Sequence, residues 1–112
     1  MKRIEAIVRP ERLDVVRRAI EAVGYAGLMI TEIQGHGKQK GITQQWRGEK
    51  FRVELLPKVK IEIVAPDHDV ETILEALVRV ARTGEIGDGK IFVSPVDTAI
   101  RIRTGERGDP AL

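Results

Sequence analysis

One pattern occurs twice along the chain. Lys2-Arg3-Ile4-Glu5 and Val59-Lys60-Ile61-Glu62 both belong to alternating runs, the runs close on Pro10 and Pro66, and the amphipathic segments that follow stop at Gly24 and Gly84. The offset is 56–60 residues in a chain of 112. Within residues 2–8, Ile4, Ala6 and Val8 share one face, the period of a half-buried strand. Over about 11–23, Leu13, Val16, Ile20 and Val23 recur at helical spacing, with Glu11 and Asp14 in the first turn. Over about 69–82, Val70, Ile73, Leu74, Leu77, Val78 and Ala81 do the same. Further strands are expected at 28–34, at 51–65 with a bulge or edge at Pro57, and as short pieces at 90–94 and 99–103. Two split β-α-β units of this size predict an α+β, ferredoxin-like β-α-β-β-α-β sandwich, an antiparallel sheet with both helices on one face. The other face needs a cover, which self-association supplies. Residues 1–112 read as a single domain.

The stretch between the repeats, GHGKQKGITQQWRGEKFR from Gly35 to Arg52, keeps no steady period and is expected to form a long loop between strands two and three. Loops beyond about 12–15 residues are uncommon in small domains and are usually functional or disordered. Charge concentrates on the same region. Residues 1–60 carry 13 Lys and Arg against 7 Asp and Glu, and residues 61–112 carry 6 against 10, so a net charge of +2 hides a basic first half. Such a segment suits phosphates, carboxylates, nucleic acid or an acidic protein surface.

Three segments place glycine beside positive charge: Gly35 to Gly41, Thr83 to Lys90, and Arg101 to Gly105. Glycine lets backbone N–H groups approach an anion closely, and lysine or arginine adds charge. Each taken singly is also an ordinary turn, and none has the Walker A or dinucleotide-binding spacing. Arg101 and Arg103 alternate with Ile100 and Ile102, so on a strand both guanidiniums would share one face, a geometry suited to polyphosphate. Lys58, Lys60 and Glu62 share a face in the same way. Hydrolytic chemistry has little to build on. There is no cysteine, the two histidines (His36 and His68) lack i+4 partners, the only serine is Ser94 ahead of Pro95, and Asp67 and Asp69 look like helix-start residues. The segments point to binding rather than catalysis. No stretch approaches the ~20 apolar residues of a membrane span, and the charged start MKRIEAIVRPER lacks the apolar core of a signal peptide.

IVRPERL (7–13), KVKIEIV (58–64), ARTGEIGDGKIFV (81–93) and RIRTGE (101–106), in that order, resemble the PII nitrogen-regulatory signal-transduction proteins. The resemblance covers essentially the whole chain. It implies a homotrimer whose sheets pack inward and whose clefts between subunits take ATP or ADP. It assigns a long T-loop at about 37–55, a B-loop at about 82–90 and a C-terminal segment at about 101–112. Nucleotide contacts would come from Gly87, Asp88, Gly89 and Lys90, from Gly35, Gly37, Lys38 and Gln39, and from Arg101 and Arg103 of the adjacent subunit. Ile7, Gly27, Leu28, Met29, Glu62 and Val64 would lie around ribose and adenine. Gln39 would ligate Mg²⁺ together with ATP and 2-oxoglutarate, and Lys40, Gly41 and Lys58 would complete the 2-oxoglutarate site. Mg²⁺ takes most of its oxygen ligands from the nucleotide, so few protein groups are needed.

The loop would be the switch that grips partners. Arg47 matches the arginine that channel-binding members insert into an ammonium channel, with Trp46 and Phe51 nearby. Glutamine-metabolism enzymes are further expected targets, in a cytoplasmic protein that meets the membrane only through such a channel. Departures from the family pattern exclude two modifications. Phe51 stands where many members carry a nucleotidylated tyrosine, and Glu49 stands at the phosphoserine position. Met29 replaces a threonine often found near the adenine. Two other classes fit a β-α-β-β-α-β plan less well. An RNA-binding module would need stacking aromatics, but the chain has four aromatic residues and no pair of them on its central strands. A small phosphotransferase would need a nucleophile or base that the sequence does not assemble.

Overall fold

β1 (Lys2–Val8) lies inside a four-stranded antiparallel sheet, paired with β3 (Glu49–Ala65) on one side and β4 (Lys90–Pro95) on the other, while β2 (Met29–Trp46) borders β3. The order β2-β3-β1-β4 is that of the ferredoxin-like sandwich. The computed structural model describes the backbone of residues 1–46 and 49–112 and the side chains of residues 1–35 and 55–112. Register runs from Lys2↔Ala65 to Val8↔Val59 on one flank of β1 and from Lys2↔Pro95 to Ile7↔Lys90 on the other. Alternation then divides the side chains. Ile4, Ala6 and Val8 of β1 and Val59, Ile61, Ile63 and Ala65 of β3 are buried beneath the helices.

Both helices supply the stripes expected of them. α1 (Leu13–Ala22) buries Val16, Ala19 and Ile20, and α2 (Val70–Ala81) buries Val70, Ile73, Ala76, Leu77 and Ala81. Each is led in by a 3-10 turn, Pro10–Arg12 and Asp67–Asp69, where proline fixes the entry. Val78, placed on the buried stripe by periodicity, is partly exposed, and Ala76 takes an inner position instead. Gly24 directly follows the last turn of α1, but α2 stops earlier than its glycine. Arg82 is already extended, and Gly84 lies in the following loop.

The largest departure concerns the expected loop. β2 and β3 stay paired from Met29↔Glu62 to Trp46↔Glu49, with a register shift between Gln39 and Gln44. Because β1 pairs only as far as Val59, the rest of this ribbon leaves the sandwich with no third strand beside it among the described residues. The radius of gyration, 17.0 Å, exceeds the ~13 Å of a compact chain of this length, and the long axis reaches 58 Å. A ribbon outside the core need not alternate apolar and polar residues, which is why its sequence lacks a strand period. Pro57 sits inside the ladder opposite Gln34, just past the end of β1, where its missing N–H can face an open side. The expected strand at 99–103 is absent. Ile100 makes a lone bridge to Arg107, and residues between them form a turn; among the described residues no strand of this chain pairs with them.

Asp67 and Asp69 do mark the start of α2, and both are tied further. Asp67 pairs with the N-terminal ammonium at 2.9 Å, and Asp69 accepts the Tyr25 hydroxyl, joining the end of α1 to the start of α2. Burial, reinforced by Asp69, pushes the Tyr25 phenol up from 10.0 to about 12. The folded state keeps a proton that the unfolded chain loses first, so stability falls as pH rises between those values. Tyr25 is the sole tyrosine, so its phenolate absorbance should titrate near 12. A midpoint at the ordinary value of 10.0 would remove the Asp69 bond from the fold.

Candidate functional site

The loop between α2 and β4 is built around one carboxylate. Asp88 Oδ2 accepts the backbone N–H groups of Thr83 at 2.8 Å and Gly84 at 2.9 Å, while Oδ1 accepts the Thr83 hydroxyl and Arg9 Nε at 3.1 Å. Thr83 chiefly, with Gly84 and Arg9, holds the Asp88 carboxyl well below the usual carboxylate range. Two cations brace the loop from β1 and β3. Arg9 Nη2 donates to the Ile86 carbonyl at 2.9 Å, and Lys58 Nζ donates to the Gly87 carbonyl. Burial first, and the nearby Arg9 guanidinium second, depress the pKa of Lys58.

Register explains why these groups meet. Ile7 pairs with Lys90 and Val8 with Val59, so Arg9, Lys58 and the entrance to β4 come together at one end of the sheet. Gly89 crosses β1 there at such short range that a β-carbon on it would lie 1.7 Å from the Ile7 carbonyl oxygen. Below the loop, on the helix side, Val8, Val78, Ala81 and Ile91 line a cleft of about 270 Å³ with Arg82 at its edge.

The sheet face turned away from the helices receives most of the other expected ligands. Ile7 lies between Lys60 and Lys90, Glu62 between Glu5 and Met29, and Val64 beside Arg3. Lys60 and Glu62 form an ion pair at 3.2 Å. Phe92, opposite Glu5, is 55% exposed on this face. Gly27 and Leu28 lead directly into β2, and Gly35 packs near the Lys58 stem. Ile7, Met29, Glu62, Val64 and Lys90 are therefore on one surface, with Gly87 to Gly89 at its end.

Arg101 and Arg103 are not brought to it within this chain. Beginning beside Ile7, β4 ends beside Lys2, so the chain leaves at the far end of the sheet, about 17 Å away. Arg101 instead bonds to Glu106 at 3.2 Å and to the Leu112 carbonyl at 3.1 Å, inside a turn that leaves Ile102 100% exposed. This turn replaces the shared strand face expected of the two arginines. The side chains of Lys38, Gln39, Lys40, Trp46, Arg47, Glu49 and Phe51 lie outside the described residues, while the backbone of Gly37 and Gly41 runs along β2 in the ribbon. Among the described residues no group of three His, Cys, Asp or Glu is placed to hold a metal ion, and no helix is long and apolar enough to cross a membrane.

Sequence reasoning missed Arg9, and it missed the role of Thr83 within a segment already singled out. Their signal is weak on its own: an arginine before a proline, and a threonine five residues ahead of an aspartate. Only the pairing of β1 with β4 puts them in reach of one another.

Comparison with known proteins bears on the whole chain. The family model described as nitrogen regulatory protein P-II matches residues 1–106. Nitrogen regulatory protein P-II 2 of Methanothermobacter thermautotrophicus is 55% identical over 112 residues, covering all of this chain and 97% of the relative. The P-II protein of Cereibacter sphaeroides is 55% identical and P-II 1 of Escherichia coli 54%, each over the full length of both chains. With a ferredoxin-like sheet, a braced glycine loop at its end and full-length similarity of this degree, the chain belongs to the nitrogen regulatory protein P-II family.

Proposed function

We propose that this chain is a non-enzymatic sensor of ATP, ADP and 2-oxoglutarate that regulates nitrogen assimilation through the β2–β3 ribbon. The observation that carries the proposal is the arrangement of the 83–90 loop. Its backbone is closed by Asp88, Lys58 and Lys90 stand at its two flanks, and it opens onto the face bearing Ile7, Glu62 and Val64. Backbone N–H groups and lysines suit phosphate, and the sheet face with Met29 and Val64 suits a nucleoside. Arg101 and Arg103, which this chain keeps away from the loop, would enter the site from an adjacent copy in a homotrimer. The same assembly would cover Phe92 and Ile102.

The residues fit the implied ligands in charge. Lys58 is a part-buried cation whose partner is a neutral carbonyl, so it can exchange that carbonyl for a carboxylate of 2-oxoglutarate. Mg²⁺, when bound with ATP, supplies charge and coordination for the 2-oxo acid, with Gln39 as the protein ligand. Lys38, Lys40 and Gly41 at the base of the ribbon would then link occupancy to its conformation, and Arg47 would present it to an ammonium channel or to enzymes of glutamine metabolism. The protein would act in the cytoplasm.

Calorimetric titration tests the nucleotide site. ATP and ADP should each bind saturably and displace one another, with no turnover. A protein that takes up neither nucleotide, or that hydrolyses ATP at each binding event, would contradict the proposal.

A further inference from the structure

We propose that Arg9 is a positioning residue of this nucleotide site, acting through Asp88 and the Ile86 carbonyl and never on the nucleotide itself. The proposal rests on the nucleotide function given above. Proline at position 10 biases the preceding residue to extended backbone, and Arg9 has φ −65° and ψ 139°. The chain therefore continues straight past the end of β1, and the Arg9 side chain passes under the loop. Only 20% of it is exposed.

Two donors of one planar guanidinium are used on two loop residues: Nε on Asp88 at 3.1 Å and Nη2 on Ile86 at 2.9 Å. Lysine has the charge but not the fork: its donors radiate from one nitrogen and cannot reproduce two parallel bonds from a rigid plane. Asp88 in turn has two bonds on each carboxylate oxygen, all from within the protein. Its carboxylate is thus an organiser of the loop. The contribution of this residue to an anion is limited to its backbone. Among the described residues no acceptor engages the N–H of Gly87 or Gly89, which leaves those donors for a ligand.

Charge gives a second reason for the pair. A carboxylate two residues before Lys90 would repel phosphate, and its bonds to Thr83 and Gly84 keep it ionised. Arg9 neutralises it at close range while fixing its orientation. Loop geometry and local charge therefore depend on the same two side chains, and their effects should be non-additive.

The test compares ATP affinity by calorimetry with amide exchange at Thr83 and Gly84. Arg9→Met should weaken ATP at least tenfold and speed exchange of both amides, with the melting temperature little changed. Arg9→Lys should recover little of either. Arg9→Met combined with Asp88→Asn should be no worse than the weaker single variant. The slope of affinity against salt should stay that of the wild type, since Arg9 touches no phosphate, whereas Lys90→Gln should lower it. Unchanged affinity in Arg9→Met, recovery by Arg9→Lys, or losses that multiply in the double variant would each overturn the assignment. If the wild type ignores ATP while Arg9→Met still frees the two amides, the nucleotide function falls and the hold of Arg9 on the loop stands.

Discussion

Gly89→Ala is expected to remove nucleotide binding with a loss on the order of a hundredfold, about 3 kcal/mol. Two costs combine. Gly89 has φ +96°, a region that costs a residue with a β-carbon about 1–2 kcal/mol. The new methyl would also sit 1.7 Å from the Ile7 carbonyl oxygen, which is backbone of an inner strand paired on both sides and cannot easily step aside. The loop itself must lift from β1, carrying Gly87 and Lys90 out of register with Arg9 and Lys58. Gly84→Ala is the control. Its φ of +88° imposes the same conformational strain, but nothing lies within 4 Å of its β-carbon. That variant should melt at a lower temperature yet keep most of its ATP affinity. Equal losses in the two would mean that strain, and not the contact with β1, governs the loop.

Lys58→Met should separate the two ligands. Methionine keeps an apolar stem of similar length and removes the ammonium. The bond to the Gly87 carbonyl disappears, and so does the proposed partner of a 2-oxoglutarate carboxylate. A charged hydrogen bond is worth about 1.5–3 kcal/mol, so 2-oxoglutarate affinity should drop by ten- to a hundredfold. ATP affinity should change only a few-fold, because Arg9 and Asp88 still hold the loop. Equal losses for both ligands would make Lys58 a brace for the loop and nothing more. The pH profile carries a second signature. Burial lowers the pKa of Lys58, so its charge is lost at lower pH than an ordinary lysine's, and 2-oxoglutarate affinity should decline correspondingly early on the alkaline side.

The sandwich was legible because its core obeys simple periods. Ile4, Ala6 and Val8 alternate, Val16 and Ile20 repeat at helical spacing, and both sets are buried as expected. The ribbon was not legible, since residues outside the core are under no pressure to alternate. The strand expected at 99–103 is missing for a related reason. Alternating Ile100 and Ile102 imitate a half-buried strand, but Ile102 has nothing of its own chain to pack against. Of the site, the glycines and lysines were visible as residue types, while Arg9 and the role of Thr83 were not. Their importance comes from the juxtaposition of β1 with the entrance to β4, seventy-nine residues apart for Arg9 and Asp88. Long-range register of that kind leaves no local mark.

Trp46, the sole tryptophan, lies on the ribbon and offers a direct readout of ligand-linked switching. The decisive measurement is a fluorescence titration of 2-oxoglutarate with and without Mg-ATP. Saturable binding should occur only when Mg-ATP is present, because the metal and its nucleotide complete the 2-oxo acid site, a positive coupling between ligands. Saturable 2-oxoglutarate binding of equal affinity in the absence of ATP would contradict the proposed mechanism.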